Sequence, residues 1–330
     1  MPRIRFLLPV YKGAAFLGAA LESVLSQTVT DYEIDLIDDG STDETAKIVE
    51  QFDDPRICYR YQDNQGLVAT LNTAIETMDC EYVARMDADD ICFPSRLERQ
   101  LDFVRFTNAV AVSSRAMNID EHGAELGVNN PGSDFRLCDP KYVPAREPYL
   151  PHPFLFIRLD VLRNVGGFRQ VHLAEDSDLC WRLFDYERIA LQDEVLGKYR
   201  VHMNSVASND LAGIRVQSFY SQLAALNADR RRNGLEEIWP NLSLAEAKAL
   251  GGFDDLLGSL QTDDTEFKNA ISAMSRWKYL DISNWRHFIL ERSDIDAACQ
   301  AAKMVVLSEE NQTWHETILG HIKNRQPDLF

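Results

Sequence analysis

Two short apolar runs that each end in a cluster of carboxylates restrict this chain to few folds. Tyr82-Val83-Ala84 leads into Asp87, Asp89 and Asp90, and Glu33-Ile34-Asp35-Leu36-Ile37 leads into Asp38-Asp39-Gly40-Ser41-Thr42-Asp43. Helical patterns lie between such runs, as in a parallel sheet with its site along the carboxyl edge. Residues two apart on an extended chain point to the same side, so Asp87 and Asp89 can face one point in space. Like charges held together need a cation or a shared proton to offset them. Hard oxygen ligands suit magnesium or manganese, which keep waters and take phosphate oxygens as further ligands. The pair therefore reads as a seat for a metal-bound diphosphate. The plainer reading is a solvated acidic turn in which Asp caps the next helix.

The rest of the first 209 residues alternates in the same way. Strands are expected at 4–10, 34–37, 56–61 and 82–86. Helices are expected at 14–27, 43–52 and 68–76, the first from the spacing of Phe16, Leu17, Ala20, Leu21, Val24 and Leu25. Ser41 or Thr42 is placed to cap the second helix. The order βαβαβαβ implies a right-handed parallel sheet. A helix opens at Phe93-Pro94-Ser95 and a strand at 109–113 follows. Residues 115–150 lose periodicity and read as a long loop, which in a compact domain is more often functional than idle. Strands at 152–157 and 195–201 and a helix starting at Asp178 complete this part. Beyond Asn209 only helical patterns remain: 211–232, 244–250, 265–279, 284–292, 295–307 and 311–323. The expected division is 1–209 for an α/β domain and 210–330 for an all-helical appendage.

Charge and cysteine content exclude some functions. With 34 Lys and Arg against 52 Asp and Glu, the formal net charge is −18, the wrong sign for a nucleic-acid backbone. Anionic lipid is repelled overall, leaving at most peripheral membrane contact through a local basic patch. Arg230-Arg231-Arg232 is one such cluster, and it also fits a solvated helix end. No apolar run approaches the length of a membrane span, and the start of the chain runs straight into a strand rather than a signal peptide. Six scattered cysteines show no metal spacing and read as free thiols in a reducing compartment. A cytoplasmic protein, working at the inner face of the membrane or away from it, is the expectation.

Taken in order, the motifs resemble the inverting glycosyltransferase family two. They are Pro9-Val10-Tyr11-Lys12, Leu21 to Thr28, Ile37 to Asp43, Asn64-Gln65-Gly66-Leu67, Asp87-Ala88-Asp89-Asp90, Gly166-Gly167-Phe168 and Glu175-Asp176-Ser177-Asp178-Leu179. Each piece is weak alone, and the ordered set is specific. It runs from about residue 4 to 205 and leaves the helical third uncovered. The resemblance implies a GT-A fold, Rossmann-like, with a mostly parallel sheet flanked by helices. It implies transfer of a sugar from a nucleotide-sugar donor, commonly a UDP-sugar, to a glycan or lipid-linked glycan acceptor in polysaccharide or surface-glycan biosynthesis. Such chemistry needs a divalent cation, Mn2+ or Mg2+, against the leaving diphosphate. It also needs a general base for the acceptor hydroxyl and in-line placement of both substrates.

The resemblance also assigns roles. Pro9, Tyr11 and Asp39 match positions that hold uracil and ribose, with Asp39 accepting from the imide N–H. The plainer reading of Asp39 is a cap on the following helix. Gly66 lies in a donor-side turn. Arg85 steadies donor phosphate or sugar, or else forms a surface ion pair. Asp89 matches the metal ligand, Asp87 supports it through metal, ribose or sugar contacts, and Asp90 orients the donor sugar or starts the next turn. Asp176 matches the general base, with Glu175 its rival; both could instead cap the helix. His202 is a third metal or diphosphate contact, or a structural histidine. His152 lines the acceptor site or packs in a loop, and Trp181 reads as core.

Three other functions compete. A catalytically degenerate GT-A binding or assembly subunit is disfavoured by the presence of Asp39, Asp87, Asp89 and Asp176. A nucleotidyltransferase usually carries a glycine-rich phosphate loop after its first strand, where this chain has Tyr11-Lys12-Gly13-Ala14-Ala15. A dinucleotide-binding dehydrogenase lacks its glycine fingerprint here. In the helical region, Trp239, Phe253, Phe267, Trp277, Tyr279, Trp285, Phe288 and Trp314 supply aromatic bulk. That bulk fits a local core, packing on the α/β domain, or a homodimer interface.

Overall fold

The computed structural model describes residues 3–129, 134–202 and 211–291. It divides into two units, one of Met1–Phe135, Tyr149–Gln170 and Arg182–Val201, the other of Arg136–Pro148, Val171–Trp181 and His202–Phe330. The boundary expected at 209 lies outside the described residues, as do the helices expected at 295–307 and 311–323 and the side chains of Trp285, Phe288 and Trp314.

The first unit carries the sheet. In chain order its elements are β1 (Ile4–Val10), α1 (Leu17–Leu25), β2 (Tyr32–Asp39), α2 (Thr45–Val49), β3 (Ile57–Gln62), α3 (Leu67–Thr77), β4 (Tyr82–Arg85), β5 (Ile91–Cys92), α4 (Arg96–Thr107), β6 (Ala111–Ile119), β7 (Glu125–Val128), β8 (Phe156–Arg158) and α5 (Leu159–Asn164). Then come α6 (Glu175–Tyr186), which begins in the second unit, and β9 (Ile189–Arg200). The strand order is β3-β2-β1-β4-β8-β6-β9-β5, with β7 paired to β6. The β1–β2, β2–β3 and β1–β4 pairs are parallel, as the alternating pattern implies. Past β4 the sheet is mixed: β8 is antiparallel to both β4 and β6, and β9 is parallel to β6.

Alternate residues of the central strands enter one core. Ile4, Phe6 and Leu8 of β1 meet Ile34 and Leu36 of β2 and the face of α1 made by Leu17, Ala20, Leu21 and Val24. Each such side chain stabilises the fold by about 1.5–3 kcal/mol relative to exposure.

Several elements differ from the sequence expectation for visible reasons. The first helix starts at Leu17 rather than residue 14, because the chain before it is tied down as a loop. Strand β6 runs on to Ile119, and β7 returns beside it. Residues 115–128 therefore lie largely in the sheet, where pairing on both sides of β6 outweighs a weak local pattern. Residues 152–154 form a single 3-10 turn before β8. Helix α6 begins at Glu175, three residues before the expected start, and the Asp178 N–H already bonds the Ala174 carbonyl at 3.1 Å.

The described part of the second unit is helical beyond residue 210, with α7 (Leu211–Arg232), α8 (Leu244–Ala249), α9 (Phe253–Gly258) and α10 (Thr265–Glu291). The two helices expected at 265–279 and 284–292 are one continuous helix, α10. Helix α7 buries Val216, Phe219, Tyr220, Leu223 and Ala224, and α10 packs against α7 and α9. Phe253 and Tyr279 meet edge to face at 5.8 Å, and Phe267, Ile271 and Met274 are buried. Ser243 and Glu246 form a reciprocal cap at the start of α8.

Candidate active site

In the first unit, the expected donor-side residues gather where β1, β2, β3 and β4 end. Val10 pairs with Asp38, Asp39 with Gln62, and Leu7 with Arg85. The chain crosses to opposite sides of β1 here, which opens a crevice at the carboxyl edge. Pro9 is buried within β1, and Tyr11, just beyond the strand, is 52% exposed. The Lys12 ammonium lies over its ring, 5.0 Å from the centroid.

Side chains from the β2–α2 loop shape the turn after β1. The backbone N–H groups of Lys12, Gly13 and Ala14 donate to Ser41 Oγ at 2.8 Å, Thr45 Oγ1 at 3.0 Å and Asp43 Oδ2 at 3.2 Å. Ser41 therefore does not cap α2; the N-cap residue is Glu44, and Asp43 Oδ1 accepts the N–H of Thr45, the first residue of the helix, at 3.2 Å. Gly40 is required between them. Its φ is +82°, and a Cβ there would lie 2.8 Å from the Asn64 backbone nitrogen.

Asp39 organises the next loop. Its Oδ1 accepts from Gln62 Nε2 at 2.8 Å and from the Gln65 N–H at 2.9 Å, and its Oδ2 accepts from the Gly66 N–H at 2.8 Å. It thus caps the approach to α3, not α2. Burial works to raise the Asp39 pKa, but hydrogen bonds from Gln62, Gln65, Thr70 and Gly66 hold it below the usual carboxylate value. Gly66, at φ +85°, leads directly into α3.

The acidic run follows β4. Arg85 is buried rather than on the surface, with 1% side-chain exposure, and its Nη2 lies 2.6 Å from Asp87 Oδ1. Its Nε and Nη1 have no hydrogen-bond partner among the described residues. Asp87 and Asp89 are partly exposed and Asp90 is fully buried. Burial, then the charges of Asp89 and Asp87, push the Asp90 carboxyl well above the usual range. Arg200 ties the run in place, donating through its backbone to Asp90 Oδ1 at 2.8 Å and through Nε to the Asp89 carbonyl at 2.8 Å.

Arg96, which the sequence reading passed over, anchors the other side. It is fully buried, its Nη2 donates to the Arg85 carbonyl at 2.6 Å, and its guanidinium lies 5.6 Å from the Phe6 ring and 5.0 Å from the Phe154 ring. Burial lowers its pKa to about 10. The signal was present: Arg96, Gln100 and Val104 share one face of α4, polar groups on an apolar stripe.

His152 packs as a buried turn histidine, its ring 5.1 Å from that of Phe168. Burial, then nearby Arg85, lowers its pKa to about 3, so it is neutral. The Asn72 side chain clamps both the N–H and the carbonyl of Phe168.

No group of three or more His, Cys, Asp or Glu among the described residues is arranged to hold a metal ion. The donors of Asp87 and Asp89 are nevertheless hard, partly exposed oxygens. They fit a magnesium or manganese ion whose remaining positions go to water and phosphate.

The other expected residues belong to the second unit. Glu175 and Asp176 lie in the first turn of α6. Asp176 Oδ1 accepts the Ser177 N–H at 2.7 Å. Burial and the charge of Glu147 raise the Asp176 pKa to about 6, against the lowering effects of backbone hydrogen bonds and Lys278. A carboxylate with a pKa near neutrality suits proton transfer. His202 is partly buried just past Val201, and Trp181 is fully buried.

Residues 6–166 match Glycosyl transferase family 2. An uncharacterized glycosyltransferase of Rickettsia prowazekii is 30% identical over 206 residues, covering 61% of this chain and 64% of the relative, so the chain spans just under two thirds of that protein. The amylovoran biosynthesis glycosyltransferase AmsE of Erwinia amylovora is 30% identical over 195 residues, covering 58% of this chain and 72% of the relative. Among solved structures, S. aureus TarS 1-349 in complex with UDP-GlcNAc is 18% identical with a TM-score of 0.56, covering 93% of this chain and 92% of that one. The mannosyltransferase PcManGT of Pyrobaculum calidifontis, in complex with GDP-Man and Mn2+, is 16% identical with a TM-score of 0.55, covering 99% and 88%.

Proposed function

The chain belongs to Glycosyl transferase family 2, and on that premise we propose that it moves a sugar from a nucleotide-sugar donor, of UDP type, to a hydroxyl of a glycan or lipid-linked glycan. The observation that carries this reading is the acidic run of Asp87, Asp89 and Asp90 fixed at the end of β4 by Arg200 and Arg96, on the same sheet edge as Asp39. Tyr11 provides a face for the base, and Asp39 an acceptor for its imide.

Asp87 and Asp89 would hold a divalent cation, which when bound supplies positive charge against the diphosphate. Arg85, with two buried N–H groups unpaired among the described residues, supplies further positive charge from the protein. Asp176 takes the acceptor proton. The acceptor oxygen bonds the anomeric carbon while the bond to the diphosphate oxygen breaks and its electron pair leaves with the nucleotide. One displacement with one base inverts the centre. Glu175 is the alternative base, and His202 a further contact to diphosphate or cation.

Polysaccharide or surface-glycan synthesis is the setting this reading favours, in line with the named role of the Erwinia relative. No helix among the described residues is long and apolar enough to cross a membrane. We place the work in the cytoplasm, at most peripherally on the membrane, and assign the helical region to acceptor docking or self-association.

The test is a thermal-shift screen over nucleotide sugars with and without manganese, since binding to the native state raises apparent stability, followed by proton NMR of the product. Metal-dependent stabilisation by a UDP-sugar and a product of opposite anomeric configuration are expected. A retained configuration would overturn the mechanism.

A further inference from the structure

Helix α6 presents Asp176 beside a second carboxylate that the transfer reaction does not itself require. Ser177 joins the two. Its backbone N–H donates to Asp176 Oδ1 at 2.7 Å, and its hydroxyl donates to Glu147 Oε2 at 2.9 Å. The other oxygen of Glu147 meets Lys278 Nζ of α10 at 3.2 Å and Gln222 Nε2 of α7 at 3.0 Å. Gln222 then accepts the Ala145 N–H at 2.7 Å, which fixes the strand of chain that carries Glu147. The Glu147 side chain is 7% exposed. All of these residues lie in the second unit, and Gln222 and Lys278 fall beyond the residues that match the family.

An ion pair with one charge buried is weak support for stability, because desolvation of the buried Glu147 offsets much of the attraction. Its position beside a titrating carboxylate gives it a different use. We propose that Glu147 and Lys278 are positioning residues for Asp176: Ser177 bonds both Asp176 and Glu147, and Lys278 pairs with Glu147, so that the two charges fix the state of the carboxylate that takes the acceptor proton. The proposal rests on the reading of Asp176 as the base. The groups around Asp176 act in opposite directions: Glu147 raises its pKa and Lys278 lowers it. Gln222, from α7, is uncharged, while Glu175 and Asp178 share the first turn of α6.

The opposed signs make the test specific. The full chain is prepared as Glu147→Gln, Lys278→Met and Lys278→Arg, with Asp176→Asn to assign the Asp176 carboxyl carbon by 13C NMR. Loss of the negative neighbour should move the Asp176 titration down by up to about one unit, and loss of the positive neighbour should move it up by a similar amount. Lys278→Arg should restore it. The acid limb of turnover, on the nucleotide sugar identified by the thermal-shift screen, should follow the same two displacements. General damage to the fold would not move two isosteric variants in opposite directions. Shifts of the same sign, or none, overturn the proposal whatever the base is. If the carboxyl shifts in opposite directions while the acid limb stays in place, the assignment of Asp176 as base falls, and with it the positioning role.

Discussion

The backbone N–H of Arg200 donates to the Asp90 carboxylate at 2.8 Å, a contact across 110 residues that fastens the acidic run after β4 to the end of β9. Asp90→Ala should leave that buried N–H unsatisfied and cost about 1–3 kcal/mol. Asp90→Asn keeps an acceptor oxygen and matches the protonated form that burial favours, so it should be much milder. Urea unfolding of both variants measures the difference, and equal losses would deny the bond its role.

Asp39 holds the Gln65 and Gly66 N–H groups, and on the proposed reading it also meets the base. Asp39→Ala should weaken UDP binding by about 1–3 kcal/mol by calorimetry and speed hydrogen exchange at both amides. Because the folded pKa lies below the usual carboxylate value, the stability that Asp39 contributes is present above that usual value. It is lost as pH falls through the folded pKa. Unchanged UDP affinity would remove Asp39 from the donor site and leave it a loop anchor.

Asp89→Ala should abolish transfer and the manganese-dependent part of UDP binding, because the diphosphate loses the cation that offsets its charge. Chelation of the wild-type protein should reproduce the effect on UDP binding. Near wild-type turnover in the variant would sink the assignment.

Asp176→Asn keeps shape and loses basicity, so turnover should drop by about 10²–10⁴ with UDP affinity little changed. Glu175→Gln should be the milder of the two; the reverse order would place the base one residue earlier. Wild-type activity should fall as pH drops through about 6, the raised pKa of Asp176. The sign for stability is opposite to that of Asp39. Here the folded carboxyl holds its proton more tightly than the unfolded one, so stability falls as pH rises from the usual carboxylate value to about 6. Asp176→Asn should therefore gain on the wild type in thermal unfolding at pH 8 and lose that advantage by pH 4.

The sequence made the donor side legible because each strand there is apolar and ends in its own chemistry. Asp39 and Asp89 are within four residues of the strands that place them. What it hid was mostly side chain to backbone bonding over long separations. Ser41 meeting the Lys12 N–H and Asn72 clamping Phe168 leave no periodic trace. The β6–β7 hairpin was missed for a related reason, since the pairing of β6 with both β7 and β9, rather than any local preference, keeps residues 115–119 extended. The first turn of α6 read as loop because Glu175 and Asp176 look like turn residues, although acids also favour the positive end of a helix.

The turn after β1 has three successive backbone N–H groups, at Lys12, Gly13 and Ala14, and all three are occupied by Ser41, Thr45 and Asp43. In many nucleotide-binding proteins the equivalent groups converge on phosphate oxygens. Here they bond the protein's own side chains instead, so these three N–H groups are not turned to an anion. On the proposed reading, a nucleotide's phosphates would meet their countercharge at the end of β4, at Arg85 and the cation held by the carboxylates. That reading gives recognition of the base and neutralisation of the phosphates to different strands. By reciprocity, whatever tightens the grip on the phosphates without touching the base must itself be held more tightly once the nucleotide is in place.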